Sequence, residues 1–189
     1  MLAGGRSTRF GRDKLAEPYG GVPLLHHAVL RLAETCGEVV VVIAPNAPEP
    51  SLAPGVPARA VRDPVEGEGP LVGLHAGLAA ARSPIALVAG GDMPELHPAV
   101  LREMLRVAGE APAEAVALRD GDAFRPLPCA LRVERASEVA RALLDRGSRR
   151  LRDLLDALRV AAIDEATWVA LDPDRRTLLD VDEPGDLEG

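Results

Sequence analysis

Residues 1–14 read MLAGGRSTRFGRDK. The stretch joins the glycine pair Gly4–Gly5 to small and basic residues and ends at Lys14, the only lysine among 22 basic residues. Glycines let a phosphate approach backbone N–H groups, and an ammonium suits a phosphate as a compact point charge. The stretch therefore predicts an anion-binding turn, although a plain turn and a solvated lysine are the simpler alternatives. A basic position taken at random in this chain would be arginine, which favours a specific task for Lys14.

The segments that follow the turn alternate between helix-like and strand-like patterns. Helical spacing of apolar residues, with proline at helix starts and glycine at helix ends, predicts helices at 22–36, 69–81, 98–110, 134–146 and 148–158. Runs of β-branched and apolar residues predict strands at 38–44, 59–62, 85–91, 115–118, 129–133 and near 159–163. Repeated β-α-β units predict a mainly parallel sheet with helices on both faces. No linker or repeat divides the sequence, so we expect one domain over residues 1–189.

Polar groups follow the predicted strands at the points where a ligand site is expected. In an open parallel sheet, ligands bind outside the carboxyl ends of the strands. The groups at these points are the glycine turn with Lys14, Asn46, Asp63 and Asp92. Asn46 can cap a turn or read a base edge, and Asp63 precedes a proline in a common turn pair. Asp92 lies in a sharp GGDMP turn, where a carboxylate is well placed for Mg²⁺ and substrate phosphates.

The composition limits the kinds of molecule and surface that this protein is expected to bind. The net charge of −7 argues against a general nucleic-acid or anionic-membrane surface, and 2% aromatic residues leave little to stack bases. Cys36 and Cys129 match no metal spacing or disulfide framework, so we expect small buried apolar side chains. The sequence contains no apolar run of about 20 residues and no signal-peptide pattern, which makes a cytoplasmic location the expectation. The opening turn is neither a P-loop nor G-x-G-x-x-G.

The same residues carry a resemblance to a known family. LAGGRSTRFGRDK is similar to the opening motif of the molybdenum cofactor guanylyltransferase family, typically LAGG-x-S-x-R-M-G-x-D-K, with Phe10 in the methionine position. The resemblance continues in order along essentially the whole chain through YGGVPLL, Asn46, Asp63, EGPLVGL at 68–74, GGDMP at 90–94, RPLP at 125–128, G-x-R-R-L at 147–151 and DVDEPGDL at 180–187. Gly4–Gly5 with EGPL favours this branch over the sister family that transfers CMP, which usually reads LAAG.

The resemblance implies a three-layer α/β/α sandwich of the nucleotide-diphospho-sugar transferase type, with a Rossmann-like, mainly parallel sheet. The implied activity joins GMP from GTP to the terminal phosphate of molybdopterin, with or without molybdenum, and releases pyrophosphate. In that family, the nucleotide is held at the positions that match Leu2, Ala3, Gly4, Gly5 and Lys14 here. The guanosine is contacted at the positions that match Asn46 and Asp63, and Mg²⁺ is bound at the position that matches Asp92. Contact with molybdoenzymes or cofactor-insertion proteins is a further expectation.

This transfer brings two polyanions together, so positioning and positive charge matter more than a covalent nucleophile. Lys14 and Arg9 are the candidate cations, and Asp92 completes the candidate catalytic set. The pterin is expected over the second half of the sheet, near Arg125 and Arg149–Arg150, although arginines in or beside helices are more often simply solvated.

Two departures from the family pattern bear on these expectations. Asp180-Val181-Asp182-Glu183-Pro184 stands where the family usually has N-x-N-T-P, as acidic counterparts near the metal or as the cap of the last helix. Met1–Leu2 supply at most two residues of a first strand that normally runs about five or six. We therefore expect either a form that begins several residues upstream or a shortened first strand. A short β-branched apolar segment added before Leu2 should then raise thermal stability and tighten GTP binding.

Three alternatives to guanylyl transfer stay open at the level of sequence. They are the cytidylyltransferase branch, a related transferase with a different phosphate acceptor, and a non-catalytic nucleotide-binding regulator. A regulator has less need of a metal-binding carboxylate such as Asp92, so the complete set of groups favours an enzyme.

Overall fold

Strands and helices alternate along most of the chain in the computed structural model, which describes residues 1–3, 13–65 and 68–188. The strands are β1 (Pro18–Tyr19), β2 (Val22–Pro23), β3 (Val39–Ile43), β4 (Ala58–Arg62), β5 (Ile85–Val88), β6 (Ala115–Asp120), β7 (Ala123–Arg132) and β8 (Val160–Ile163). The helices are α1 (Leu24–Ala33), α2 (Pro70–Ala80), α3 (Pro98–Glu110), α4 (Val133–Asp145), α5 (Leu151–Ala157) and α6 (Glu165–Leu171). Short 3₁₀ turns cover Lys14–Ala16, Arg176–Leu178 and Pro184–Glu188.

Residues 1–3 join the two halves of the central sheet. On one side β3 pairs with β4 in parallel, and on the other the strand order is β5-β7-β6-β8. Leu2 forms parallel bridges to Val42, in β3, and to Gly90, just after β5. Strand β7 is antiparallel to both of its neighbours, whereas β6 and β8 are parallel. The described strands of this sheet are therefore mainly parallel, as predicted, with β7 reversed.

Helices cover both faces of the sheet and form two apolar cores. The core on one face includes Val29 of α1, Met104 of α3 and Trp168 of α6, all fully buried. The core on the other face includes Leu71 of α2, Ala140 of α4 and Leu154 of α5. This is the expected three-layer arrangement. None of the described helices has the length and apolar character needed to cross a membrane.

Several predicted boundaries and one connection differ from the structure. The predicted helix at 22–36 begins only at Leu24, because Val22–Pro23 pairs with Pro18–Tyr19 in a short hairpin. The predicted strand at 129–133 reaches back to Ala123, since Gly121 adopts a φ of 58° and lets the chain reverse directly after β6. Helix α6 was not predicted; it has only seven residues and is capped by Asp164, whose carboxylate accepts from the N–H of Thr167.

Candidate active site

The opening strand leads directly to the carboxyl edge of the sheet. The N–H of Ala3 donates to the Val42 carbonyl at 2.8 Å, and the N–H of Leu2 donates to the Ala89 carbonyl at 2.9 Å. Residues 1–3 therefore end between the carboxyl ends of β3 and β5, where a ligand site is expected in a parallel sheet. Gly4, Gly5 and Arg9, which are predicted to bind nucleotide or to act as a cation, lie outside the described residues.

Lys14 returns to this edge on the first 3₁₀ turn. Asp13 caps the turn by accepting from the N–H of Leu15 at 3.1 Å. The Lys14 ammonium donates to Asp92 Oδ2 at 2.8 Å and to the Val181 carbonyl at 2.9 Å, and only 16% of its side chain is exposed. The ammonium is thus fixed by two partners from distant parts of the chain, which excludes the alternative of a freely solvated lysine.

Asp92 is positioned by the turn that follows β5. A side chain on Gly90 would collide with the carboxylate of Asp92, so glycine is required for this tight approach. The carbonyl of Asp92 accepts from the N–H of Val181 at 3.0 Å, which ties the turn to the last segment of the chain. The turn and the last segment therefore form one unit around the Lys14 ammonium.

Two further carboxylates accompany Asp92. Asp182 Oδ1 lies 3.6 Å from the Lys14 nitrogen. The carboxyl of Asp180 touches solvent, yet loss of surrounding water, followed by the negative charges of Asp92 and Asp182, raises its pKa to about 6. The positive charges of Lys14 and Arg125 offset part of this shift. Among the residues that the structure describes at this edge, three carboxylates thus lie near the Lys14 ammonium.

The structure distinguishes the two interpretations of the DVDEP segment. The N–H groups of Asp182 and Glu183 both donate to Asp186 Oδ2 at 2.8 Å, so the carboxylate that caps this turn is that of Asp186. Asp180 and Asp182 are instead acidic neighbours of Asp92. The sequence left both interpretations open; the spacing of these residues on either side of the buried Val181 is the signal that their side chains face the same way.

Asn46 and Asp63 lie on the loops after β3 and β4. The N–H of Asp63 donates to the Ile43 carbonyl at 2.8 Å, and Asp63 Oδ1 accepts from the N–H of Val65 at 3.1 Å. Arg62 Nη1 donates to the carbonyls of Pro45 at 2.9 Å and Ala47 at 2.8 Å, on either side of Asn46. Arg62 was not predicted, and it links the two loops.

The arginines expected near a pterin form their ion pairs with residues outside the cluster of Asp92, Asp180 and Asp182. Arg125, on β7, forms an ion pair with Asp120 at 2.7 Å and reaches the acidic cluster only through its effect on the pKa of Asp180. Arg149 forms an ion pair with Glu68 at 2.7 Å, and Arg150 is exposed. Both cysteines have free thiols, and the expectation that both are buried is confirmed for Cys129 and wrong for Cys36, which is partly exposed.

The donors at this edge fit a divalent cation of the Mg²⁺ type. Carboxylate oxygens are the ligands that hard cations prefer, and the pKa of Asp180 is raised first by loss of surrounding water and then by the negative charges of Asp92 and Asp182. Within the described ranges, no three or more His, Cys, Asp and Glu residues are arranged to enclose a metal ion. Mg²⁺ is commonly held by one or two carboxylates together with substrate phosphates, and this site suits that mode.

A mainly parallel sheet that brings Lys14 and Asp92 together at its carboxyl edge agrees with the nucleotidyltransferase class expected from the sequence. A model of the MobA-like NTP transferase domain matches residues 1–164. The chain belongs to the MobA-like NTP transferase family.

Two proteins that are similar in sequence support the same class of enzyme. The chain is 36% identical over 192 residues to a probable molybdenum cofactor guanylyltransferase of Mycobacterium avium, covering 99% of this chain and 91% of the relative. A protein of the same name from Chloroflexus aggregans is 36% identical over 195 residues, covering 100% and 90%. The family model and the names of these relatives show that the chain is a nucleotidyltransferase enzyme.

Solved structures support the fold. Molybdopterin-guanine dinucleotide biosynthesis protein A of Archaeoglobus fulgidus superposes with a TM-score of 0.77 at 20% identity, covering 99% of this chain and 93% of that one. The 2-C-methyl-D-erythritol 4-phosphate cytidylyltransferase of Thermus thermophilus superposes with a TM-score of 0.70 at 18% identity over the same shares of the two chains. Both place this chain among nucleotide-diphospho-sugar transferase folds.

Proposed function

We propose that this chain transfers GMP from GTP to the terminal phosphate of molybdopterin, with or without molybdenum, and releases pyrophosphate. The observation that carries the proposal is the Lys14 ammonium, which Asp92 and the Val181 carbonyl hold at the carboxyl edge of the sheet. The names of the relatives supply the nucleotide and the acceptor. We place the reaction in the cytoplasm, where free thiols such as those of Cys36 and Cys129 persist.

In the proposed reaction, an oxygen of the acceptor phosphate attacks the α-phosphorus of GTP. A new bond forms between that oxygen and the α-phosphorus, while the bond from the α-phosphorus to the bridging oxygen breaks, and pyrophosphate leaves with the electron pair. An ammonium has three N–H donors, and Asp92 and Val181 take two of those on Lys14. Among the described residues no other hydrogen bond uses the third donor, which we assign to a phosphate oxygen, so that Lys14 stabilises the negative charge that both phosphates bring.

Asp92, together with Asp180 or Asp182, would hold Mg²⁺. When bound, Mg²⁺ neutralises phosphate charge and holds the reacting phosphates in line. The carboxylates also orient the Lys14 ammonium, because Asp92 accepts from it and Asp182 lies 3.6 Å away. Without the carboxylates the lysine stem could take many rotamers, and the donor would not be preorganised. Gly4, Gly5 and Arg9 remain proposed nucleotide and cation sites.

Base selection is assigned to the loops after β3 and β4. The Asp63 carboxylate can accept from the N1–H and N2 donors of guanine, and the Asn46 amide can both donate and accept. Adenine offers no matching donor pair, so a site that presents an acidic acceptor rejects it. We assign Leu2 and Ala3, which lie between these loops and the Asp92 turn, to the surface that contacts the nucleotide from below.

The test is parallel titration calorimetry and thermal unfolding with GTP, CTP and ATP, each with Mg²⁺. We expect GTP to bind and to raise the melting temperature, with a far smaller shift for ATP. Equal shifts with GTP and CTP would replace the proposal with cytidylyl transfer. No shift with any nucleotide would overturn the assignment of this edge as a nucleotide site.

A further inference from the structure

Asn46 lies in a four-residue turn just after β3. The N–H of Ala47 donates to the Ala44 carbonyl at 3.2 Å, which places Pro45 and Asn46 at the two central positions of a β-turn. The proline ring fixes one dihedral angle of the turn, whereas the chain on either side of Asn46 keeps rotational freedom unless its carbonyls are bound. The direction of the Asn46 side chain therefore depends on the groups that bind those carbonyls.

The guanidinium of Arg62 binds this turn. Its Nη1 atom donates to the Ala47 carbonyl at 2.8 Å and to the Pro45 carbonyl at 2.9 Å. The Pro45 carbonyl belongs to the peptide group that enters Asn46, and the Ala47 carbonyl follows one residue later. The Nη2 atom lies 3.4 Å from Glu49 Oε2, farther along the same loop. One guanidinium therefore contacts the loop at three points and holds the backbone before and after Asn46.

Arg62 ends β4 and Asp63 follows it, so their side chains point to opposite faces of the sheet. Arg62 pairs in register with Ile43, whose side chain lies in the core that α1 and α3 cover. Asp63 points the other way, and its Oδ2 lies 3.2 Å from the position of a Cβ on Gly73 of α2. The N–H of Asp63 donates to the Ile43 carbonyl at 2.8 Å. The end of β4 thus positions Asp63 through the strand ladder and the Asn46 turn through Arg62.

We propose that Arg62 is a specificity-positioning residue, which holds the Asn46 turn at a fixed distance from Asp63 so that both side chains reach one purine base. The inference rests on the proposed function, in which these two side chains select guanine. Two groups on separate loops read one base well when their separation is preset, because ordering a loop during binding costs affinity. The side chain of Arg62 is 46% exposed, so its own burial contributes little to folding.

The first measurement needs no nucleotide. Asn46 is the only asparagine of the chain, and the sequence has no glutamine, so its side chain gives the only carboxamide NH₂ pair in an amide correlation NMR spectrum. Arg62→Met keeps an apolar stem but removes the donors. Arg59→Met is the matched control, because Arg59 also lies on β4 and donates to a backbone carbonyl, that of Ala80 at 2.5 Å.

We expect the order parameter of the Asn46 backbone amide to fall from about 0.85 to below about 0.6 in Arg62→Met, and to stay unchanged in Arg59→Met. The NH₂ pair of Asn46 should sharpen and move toward the shifts of a solvated asparagine in Arg62→Met only. Unchanged order and shifts in Arg62→Met would overturn the proposal, whichever nucleotide the enzyme uses.

The second measurement is the affinity for GTP, CTP and ATP with Mg²⁺, by titration calorimetry. Arg62→Met should weaken GTP binding by about five- to tenfold, the scale of ordering one loop side chain, and change the other two affinities by less than about twofold. A guanidinium that only attracted phosphates would lower all three affinities equally, and that result would overturn the positioning role. An equal loss of the preference for GTP in Arg59→Met would assign the effect to general loosening of β4 and would likewise overturn it.

A double variant shows whether Arg62 acts through Asn46. The variant that combines Asn46→Ala with Arg62→Met should bind GTP within about twofold of Asn46→Ala alone. Losses that multiply would show that Arg62 acts independently of Asn46 and would overturn the proposal. If Asn46→Ala leaves GTP affinity unchanged, the base assignment of the proposed function fails and the specificity role of Arg62 fails with it, whereas the NMR result decides separately whether Arg62 holds the turn.

Discussion

The two ends of one seam in the sheet have opposite chemistry. At the carboxyl end, where residues 1–3 emerge between β3 and β5, Lys14 is surrounded by Asp92, Asp180 and Asp182. At the amino end, the same two strands enclose an apolar cleft that reaches back from Met1. The strands are parallel throughout, so the difference arises from the loops and helices that flank them in the chain.

We expect the two ends of this seam to contribute differently, the charged end to function and the apolar end to stability. The described carboxylates at the carboxyl edge are tolerated because solvent reaches them and Lys14 pairs with Asp92, and we propose that this end binds a cation and a nucleotide. At the amino end the backbone is enclosed by helices, so polar groups there must pair within the protein. Changes at the charged end should therefore affect catalysis more than folding, and changes at the apolar end the reverse.

The largest effect is expected from Asp92→Asn. The variant keeps the shape of the side chain but loses the negative charge that accepts from Lys14 and that we propose holds Mg²⁺. We expect turnover to fall by about a hundred- to a thousandfold with little change in melting temperature, since metal neutralisation of phosphates is worth several kcal/mol. Asp156→Asn, at an exposed position of α5, is the matched control. Turnover within a factor of two of the parent would make Asp92 purely structural.

Lys14→Arg should come next, although the charge is kept. A planar, forked guanidinium does not fit between Asp92 and the Val181 carbonyl as an ammonium does. Loss of one hydrogen bond from a charged donor to phosphate costs roughly 1.5–3 kcal/mol, or about 10- to 150-fold in GTP affinity or rate. Arg152→Lys on the exposed face of α5 should change neither. A Lys14→Arg variant with unchanged kinetics would show that the lone lysine is incidental.

At the apolar end, the Met1 amine predicts a pH dependence of folding. Burial lowers its pKa from 8.0 to about 6, so the folded state disfavours the charged form. The unfolded state binds more protons between these values, and stability therefore rises with pH from 6 to 8, by about 2 kcal/mol. Urea unfolding at pH 6, 7 and 8 measures this rise. A form with residues added before Met1 has no amine at this position and should lose the rise, whereas a rise of equal size in both forms would assign it to another group.

The smallest effect is expected from Asp180→Asn without nucleotide or metal. The raised pKa of Asp180 means that the folded state binds its proton more tightly than the unfolded state, so this group lowers stability as pH rises from about 4 to 6. After allowance for solvent screening, the variant should be more stable at pH 7 by about 1 kcal/mol, with no gain below pH 4. A variant that is less stable than the parent at pH 7 would contradict the like-charge account.

Much of this molecule could be predicted from local sequence pattern. Helix α3 lies at its predicted bounds because a proline opens it and its apolar residues keep helical spacing. Asp92 could be located at the carboxyl edge because a buried strand and two glycines precede it in the sequence. Each of these signals is contained in a short window of residues, where propensity and turn chemistry act.

The remaining features depend on contacts between distant residues. The reversed direction of β7 follows from the hairpin at Gly121, which a window centred on 129–133 does not include. The binding of the Lys14 ammonium by the Val181 carbonyl joins residues 167 positions apart. The role of Asp180 and Asp182 beside Asp92 likewise appears only once the last segment packs against the turn after β5. Periodicity carries no signal for such contacts.

The central claim is that the charged end of the seam selects GTP for transfer to molybdopterin. The most direct measurement is one competition reaction, with equal concentrations of GTP, CTP and ATP, Mg²⁺ and molybdopterin, in which mass spectrometry identifies the dinucleotide formed. We expect the guanine dinucleotide of molybdopterin with release of pyrophosphate, and no product from the Asp92→Asn variant. A cytosine or adenine dinucleotide as the main product, or no dinucleotide from the parent enzyme, would contradict the claim.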